Sequence, residues 1–179
     1  MTNAILDAIK GRRSVLRFKN NPVEKEKIEA ILEAGRWAPS WLNKQPWNFI
    51  VITDKTIKEQ LSENVPTAIK EGLKEAPVCI AVAVDTTEDP HHFVEDGAAA
   101  TQNMALAAHS LGLHSYWIGI FDFENQRKSF EARAKQILEI PKTHRIISIL
   151  PIGYSNYESP KKERKTLYQL VFQNKFGKR

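Results

Sequence analysis

The chain has 179 residues, of which 42% are hydrophobic and 26% charged. These are ordinary values for a soluble globular protein, and we expect one domain over residues 1–179. No apolar run reaches the about 20 residues of a membrane-spanning helix, and the N-terminal charges follow the apolar residues instead of preceding them, so neither a spanning helix nor a secretory signal is expected. The one cysteine, Cys79, excludes an internal disulfide. It lies inside an apolar run and suits a reducing, cytoplasmic setting.

In chain order, Asn3 is placed to cap a helix over 4–10 that stops at Gly11. Residues 12–18, RRSVLRF, are too few for a helix and read as extended. The spacing of Ile28, Ile31, Leu32 and Gly35 predicts a helix over 23–37. The stretch 38–52, APSWLNKQPWNFIVI, organises the rest of the chain. Its end, 48–52, is β-branched and aromatic and predicts a buried strand. Its beginning cannot be regular, because Pro39 and Pro46 remove donors and push their predecessors out of the helical region. Ser40, Asn43 and Gln45 between them suit a planar, neutral heterocycle better than a metal or a phosphate. A plain helix-to-strand connection with a tryptophan in the core is the commoner reading of such a loop composition.

Asp54 predicts a capped helix through 61, and Pro66 stands in the first turn of another that ends before Pro77. Residues 78–84, VCIAVAV, are apolar on both faces and predict a central strand. Asp89-Pro90 reads as a cap and a first helical residue for a long alanine-rich helix to 111, stopped by Gly112. Its small residues, Ala98 to Ala100 and Ala105, Ala107 and Ala108, allow another backbone or subunit to come close. Residues 114–121 hold a short strand and a turn at Gly119. Asn125 predicts a cap for a helix with Phe130, Ala134, Ile137 and Leu138 inward, ended by Pro141, and 145–152 is the last strand. The tail, 159–179, carries Leu167, Leu170, Val171, Phe172 and Phe176 with no segment left to cover them, for which a second subunit is one answer. Strands separated by helices give an α+β or α/β domain.

The chemistry-bearing signals are few. No GxGxxG or GxxxxGK[ST] occurs, which disfavours a classical nicotinamide domain. The five histidines lack metal-ligand spacing, and there is no nucleophile elbow, triad or paired acid and base. The formal charge of +5 gathers into two knots, Arg12-Arg13 and residues 161–165. Solvated charge is one reading of them. The other is a small anion such as a phosphate monoester, gripped bidentately by arginine, with a further cation stabilising a reduced flavin edge. Arg12, Arg13 and Arg164 could divide these tasks.

Together the blocks resemble the FMN-dependent nitroreductase family. RRS with Phe18, APSxxNxQPWxFIV at 38–51, DGAAATQNMALAAHSLGL at 96–113, SYWIG at 115–119, EIP at 139–141 and ERKTLYQLV at 163–171 follow in family order over almost the whole chain. The resemblance implies an α+β nitroreductase-like fold: a central, mostly antiparallel sheet flanked by helices, with the C-terminal tail exchanged in an intertwined homodimer. It implies FMN at the dimer interface, NADH or NADPH as electron donor, and ping-pong reduction of a small nitroaromatic, quinone or related acceptor. Within the family, enone reduction and biosynthetic dehydrogenation are alternatives. Outside it, the alternative is a non-enzymatic anion- or nucleic-acid-binding module. Neither nucleic acid nor membrane is implied as a partner, and no metal or catalytic acid or base. Carried over by motif, Arg12, Arg13 and Ser14 would contact the FMN phosphate, ribityl chain and flavin edge. Pro39, Ser40, Trp41 and Asn43 would reach it from the other subunit. Trp117, Ile118 and Gly119 would lie along the ring, and Arg164 with Lys165 would hold the phosphate. Three features depart from the family pattern. Leu16 stands where a basic residue is frequent, with Arg17 on the opposite face if the segment is extended. Trp41 replaces a small residue and narrows the pocket. The stretch between Ile52 and Asp96 is too short for a large capping insertion.

Overall fold

The computed structural model describes residues 3–122, 129–157, 159–160 and 162–179. Among them five strands form one sheet: β1 (Trp47–Ile52), β2 (Val78–Asp85), β3 (His114–Ser115), β4 (Ile118–Gly119) and β5 (His144–Gly153). The order is β1-β2-β5-β3, β4 also pairs with β5, and every pairing is antiparallel. The apolar run of β2 makes it central, buried on both faces between β1 and β5. The expected buried strand at 48–52 is instead the sheet edge. Trp47 and Ile52 are buried, while Asn48 and Val51 are exposed. Hydrophobicity alone does not reveal which side of a strand has a neighbour.

Seven helices surround the sheet among the described residues: α1 (Ala4–Gly11), α2 (Lys25–Arg36), α3 (Lys55–Ser62), α4 (Thr67–Glu75), α5 (Phe93–Ser110), α6 (Phe130–Ile137) and α7 (Leu167–Leu170). Alternate residues of β2 enter two cores. Ile80, Val82 and Val84 meet Ile31 of α2 and Ala100 and Met104 of α5. Cys79 and Ala81 meet Leu61, Leu73 and Ala134 from α3, α4 and α6. Burial pushes the Cys79 thiol up to about 12, which leaves it an inert hydrophobe.

Several helix ends are as the sequence predicts. Asn3 Oδ1 accepts from the amides of Ile5 and Leu6, and Asp54 Oδ1 from that of Ile57. Gly112 ends α5 at φ +76°. Others differ. Pro66 occupies the cap position of α4, one residue before its first turn. Asp89 does not cap α5: its Oδ1 accepts from the amides of His91 and His92 in a preceding turn, and the helix begins at Phe93. Gly119 is a strand residue and not a turn. Ser129 caps α6, and Asn125, the expected cap, lies outside the described residues. Gly97 lets α5 lie close against the sheet, for a Cβ there would stand 2.4 Å from Ile147 Cγ1.

The uncovered apolar surface is concentrated at the two ends of the chain. Ile5, Leu6 and Ile9 line the outer side of α1, and in the tail Leu167 is 78% and Phe176 92% exposed. No helix of the described residues is long and apolar enough to cross a membrane.

Candidate functional site

The predicted residues fall into two sets, held at opposite ends of α5. At its C-terminal end α1 crosses close by, and a Cβ on Gly11 would stand 2.7 Å from His109 Nε2. Arg12 ends α1, its amide donating to Ala8 O, and Arg13 Nη1 donates to the carbonyls of Lys10 and Arg12 at 2.5 and 2.9 Å. Residues 12–18 then run extended but form no strand. Ser14 bridges Ser115, and the Val15 amide donates to Ser115 O at 3.1 Å. Arg164 returns from the tail toward Arg12. Burial, then the neighbouring charges of Arg13 and Arg164, lower the Arg12 pKa. Among the described residues none of these three arginines is ion-paired with a carboxylate, so like charges are gathered without a counter-ion.

Two imidazoles stand behind the cluster. Burial lowers the pKa of both His109 and His114, and His114, Arg12 and Arg13 lower that of His109 further. The buried His114 Nδ1 has no hydrogen-bond partner among the described residues.

Trp117, Ile118 and Gly119 follow Ser115 after Tyr116, and Ile118 and Gly119 pair with β5 further along the strand that Ser115 pairs with. Their contributions differ. The Trp117 ring is partly exposed, whereas the Ile118 side chain is buried in the core and leaves only its backbone to the site. Gly119 is exposed, and a Cβ there would meet nothing within 4 Å. Lys165 is exposed on the tail and makes no hydrogen bond or ion pair among the described residues. A groove of about 860 Å³ opens beside Ser14, walled by Gly72, Tyr157 and Lys162. Leu16 and Arg17 both line it and both are exposed.

The second set sits at the N-terminal end of α5. Residues Trp41–Asn43 form a single 3-10 turn after Pro39 and Ser40. Leu42, Asn43 and Gln45 have φ of 47°, 57° and 51°, three non-glycine residues in the left-handed region within four positions. Ser40 Oγ accepts from the Gln45 amide at 2.9 Å. The Trp41 amide donates to Asp96 at 3.1 Å from Oδ1 and 3.3 Å from Oδ2. The Trp41 ring, 51% exposed, stacks on His92 at 4.3 Å between centroids. His92 Nδ1 lies 3.3 Å from Asp89 Oδ1. Burial raises the Asp96 pKa, and the Trp41 amide works against that rise.

From Asp96 to His109 is 13 positions of continuous helix, about 20 Å at 1.5 Å per residue. The loop at Trp41 and the end of α1 at Gly11 thus meet α5 at points about that far apart along its axis.

The nitroreductase family model matches residues 9–70 and 63–154. The chain belongs to the nitroreductase family. A provisionally named NADH dehydrogenase/NAD(P)H nitroreductase of Methanothermobacter thermautotrophicus is 35% identical over 152 residues, 84% of this chain and 76% of the relative. An FMN-dependent nitroreductase of Clostridium difficile superposes with a TM-score of 0.87 at 31% identity, over 96% of this chain and 99% of the other. A nitroreductase-type protein of Desulfovibrio desulfuricans, solved in complex with FMN, gives 0.82 at 30%, over 98% and 99%. The nitroreductase fold is thus confirmed, with its antiparallel sheet between two helical layers.

In this member of the nitroreductase family the sequence reading missed Asp89, His92, Asp96, His109 and His114. The acidic residues of DPHHFVED were visible as a helix start, but nothing in their spacing showed that they hold the loop at Trp41. The histidines gave no signal beyond their lack of metal spacing.

Proposed function

We propose that the chain is an FMN-dependent NAD(P)H oxidoreductase that reduces nitroaromatics, quinones or related small acceptors. The carrying observation is the cluster of Arg12, Arg13 and Arg164, which has no carboxylate partner among the described residues and is a donor set that fits a phosphate monoester. The open space at Gly119 fits a planar ring lying against the backbone there. Arg12, Arg13, Ser14 and Arg164, with Lys165 from the tail, would hold the phosphate and ribityl chain. Trp117, the Ile118 backbone and Gly119 would border the ring. FMN, when bound, supplies two-electron transfer between a nicotinamide and an acceptor. The protein's part is to bind, orient and stabilise charge. Arginine beside the ring edge favours the anionic, reduced form and so raises the potential.

Pro39, Ser40, Trp41 and Asn43 would complete the site from a second copy. The about 20 Å of α5 between the points where the two sets meet it supports this, as does the uncovered apolar surface of α1 and the tail, which an exchanged C-terminal segment would bury. Donor and acceptor would use the same place in turn, giving ping-pong kinetics. The buried Cys79 suits a reducing cytoplasm.

Releasing the cofactor by denaturation and identifying it by chromatography tests the assignment, and FMN is expected. Steady-state rates with NADH and NADPH against nitroaromatics, quinones and enones then give the substrate class, with parallel double-reciprocal lines. A colourless protein whose binding to nucleic acid falls steeply with salt would overturn the reading.

A further inference from the structure

A buried carboxylate whose hydrogen bonds go to a loop amide is a costly arrangement unless the geometry it enforces is used. Asp96 is 5% exposed, and both its oxygens face the amide of Trp41. It lies in the first turn of α5, where the positive end of the helix favours its charge. The loop it holds carries three left-handed non-glycine residues, and such a backbone persists only where its surroundings over-determine it. The second hold on the same residue is the ring of His92, itself beside Asp89. Trp41 is thus fixed twice, by backbone and by ring, to one short stretch of α5 and the turn before it. The holds act on the residue between Ser40 and Asn43, so the positions of those side chains follow from them.

We propose that Asp96 is a positioning residue for the site: through the Trp41 amide it fixes the left-handed loop that carries Ser40 and Asn43, and so sets how well the site takes its acceptor. The inference rests on the proposed function only in placing that loop beside the reacting ring. Asp96 itself touches neither acceptor nor cofactor. What the loop needs is an acceptor oxygen at this point, not the negative charge.

Two variants separate these roles. Asp96→Asn keeps a carbonyl oxygen for the Trp41 amide, and Asp96→Leu keeps the bulk and loses the acceptor. Hydrogen exchange read by mass spectrometry should show residues 40–46 of Asp96→Leu exchanging about tenfold faster or more, with β2 and β5 unchanged. Its kcat/KM for a quinone acceptor should fall about tenfold or more, mainly through KM, while Asp96→Asn stays within about threefold of the parent on both readings. If Asp96→Leu does not fold, Asp96→Ala gives the same two readings. The proposal is overturned if loop exchange is unchanged, if exchange rises equally in β2 and β5, or if Asp96→Asn is as damaged as Asp96→Leu. The exchange measurement needs no flavin. A parent protein that takes up no FMN therefore refutes the proposed function separately, whatever the loop does.

Discussion

The two ends of α5 hold their sets of residues by different means. At the C-terminal end the organising quantity is charge. Arg12 and Arg13 are neighbours in sequence, Arg164 joins them from the tail, and two imidazoles stand behind. At the N-terminal end the organising quantity is shape. A neutral loop is bent through the left-handed region and held by a buried carboxylate and a stacked ring. Charge of one sign can be gathered by composition and then waits for a partner of the other sign. Shape of this kind needs a second segment to supply its hydrogen bonds, and here that segment lies more than 50 positions away.

The sharpest way to break the comparison is to ask whether the two ends serve one site. The test takes one variant altered at Arg12 and one altered at Asn43, each chosen for being inactive alone at the FMN concentration used. In dimers mixed from the two variants, a shared site places both lesions in one site and none in the other. Random pairing makes about half the dimers mixed, so roughly a quarter of the parent activity should return. No return, with mixed dimers shown to form and both variants folded, would show that the two ends belong to separate functions.

A smaller effect is expected at the charged end alone. Arg12→Ala and Arg164→Ala should each weaken FMN binding by about tenfold to a hundredfold, the loss of one charge-assisted contact of about 1.5–3 kcal/mol. Fluorescence titration of the apoprotein reads this directly. Unchanged affinity in both variants would reduce the cluster to solvated charge.

The smallest effect is in acid, where the two ends should respond with opposite sign. The pKa of His109 is lowered in the folded chain, so below the ordinary value of 6.5 the unfolded chain takes up more protons and stability falls as pH falls. The pKa of Asp96 is raised, so from its folded value down toward 3.8 the folded chain takes up more protons and its contribution increases as pH falls. Thermal melts across pH should therefore show a shallower decline below pH 6.5 in His109→Gln, and a lost gain at lower pH in Asp96→Asn. Identical melting curves for His109→Gln and the parent over that range would remove the imidazole from the account.

Much of the frame was legible in the residues. VCIAVAV has no polar side chain to expose and could only be central, and Gly112 marks the place where α5 turns left-handed. The arginine set was legible because its signal is residue type. The remainder depended on partners distant in sequence. Whether 48–52 was an edge or an interior strand depended on what lay beyond it, and Asp89 looked like the cap of α5 because a cap and a pre-helical turn use the same side-chain oxygen. Leu42 at φ 47° gave no warning at all, since leucine is not a residue that marks left-handed backbone. Ile118 was expected along the ring, yet strand alternation turns its side chain inward.

The missing side chain at Gly97 has a consequence for all of this. It stands one residue from Asp96 and lets α5 rest directly on Ile147 and Val84, where a Cβ would meet their γ-carbons at 2.4 and 3.1 Å. Beyond it the helix is seated by Ala100, Met104 and Ala108, all fully buried. A methyl group at 97 would act as a shim under one end of a beam. The seated end, with the cations, would keep its height, while the first turn would rise and carry Asp96 away from its amide. Tolerance to change at this position is thus a gauge of how finely the gap between loop and sheet is set, independent of any residue that meets a ligand.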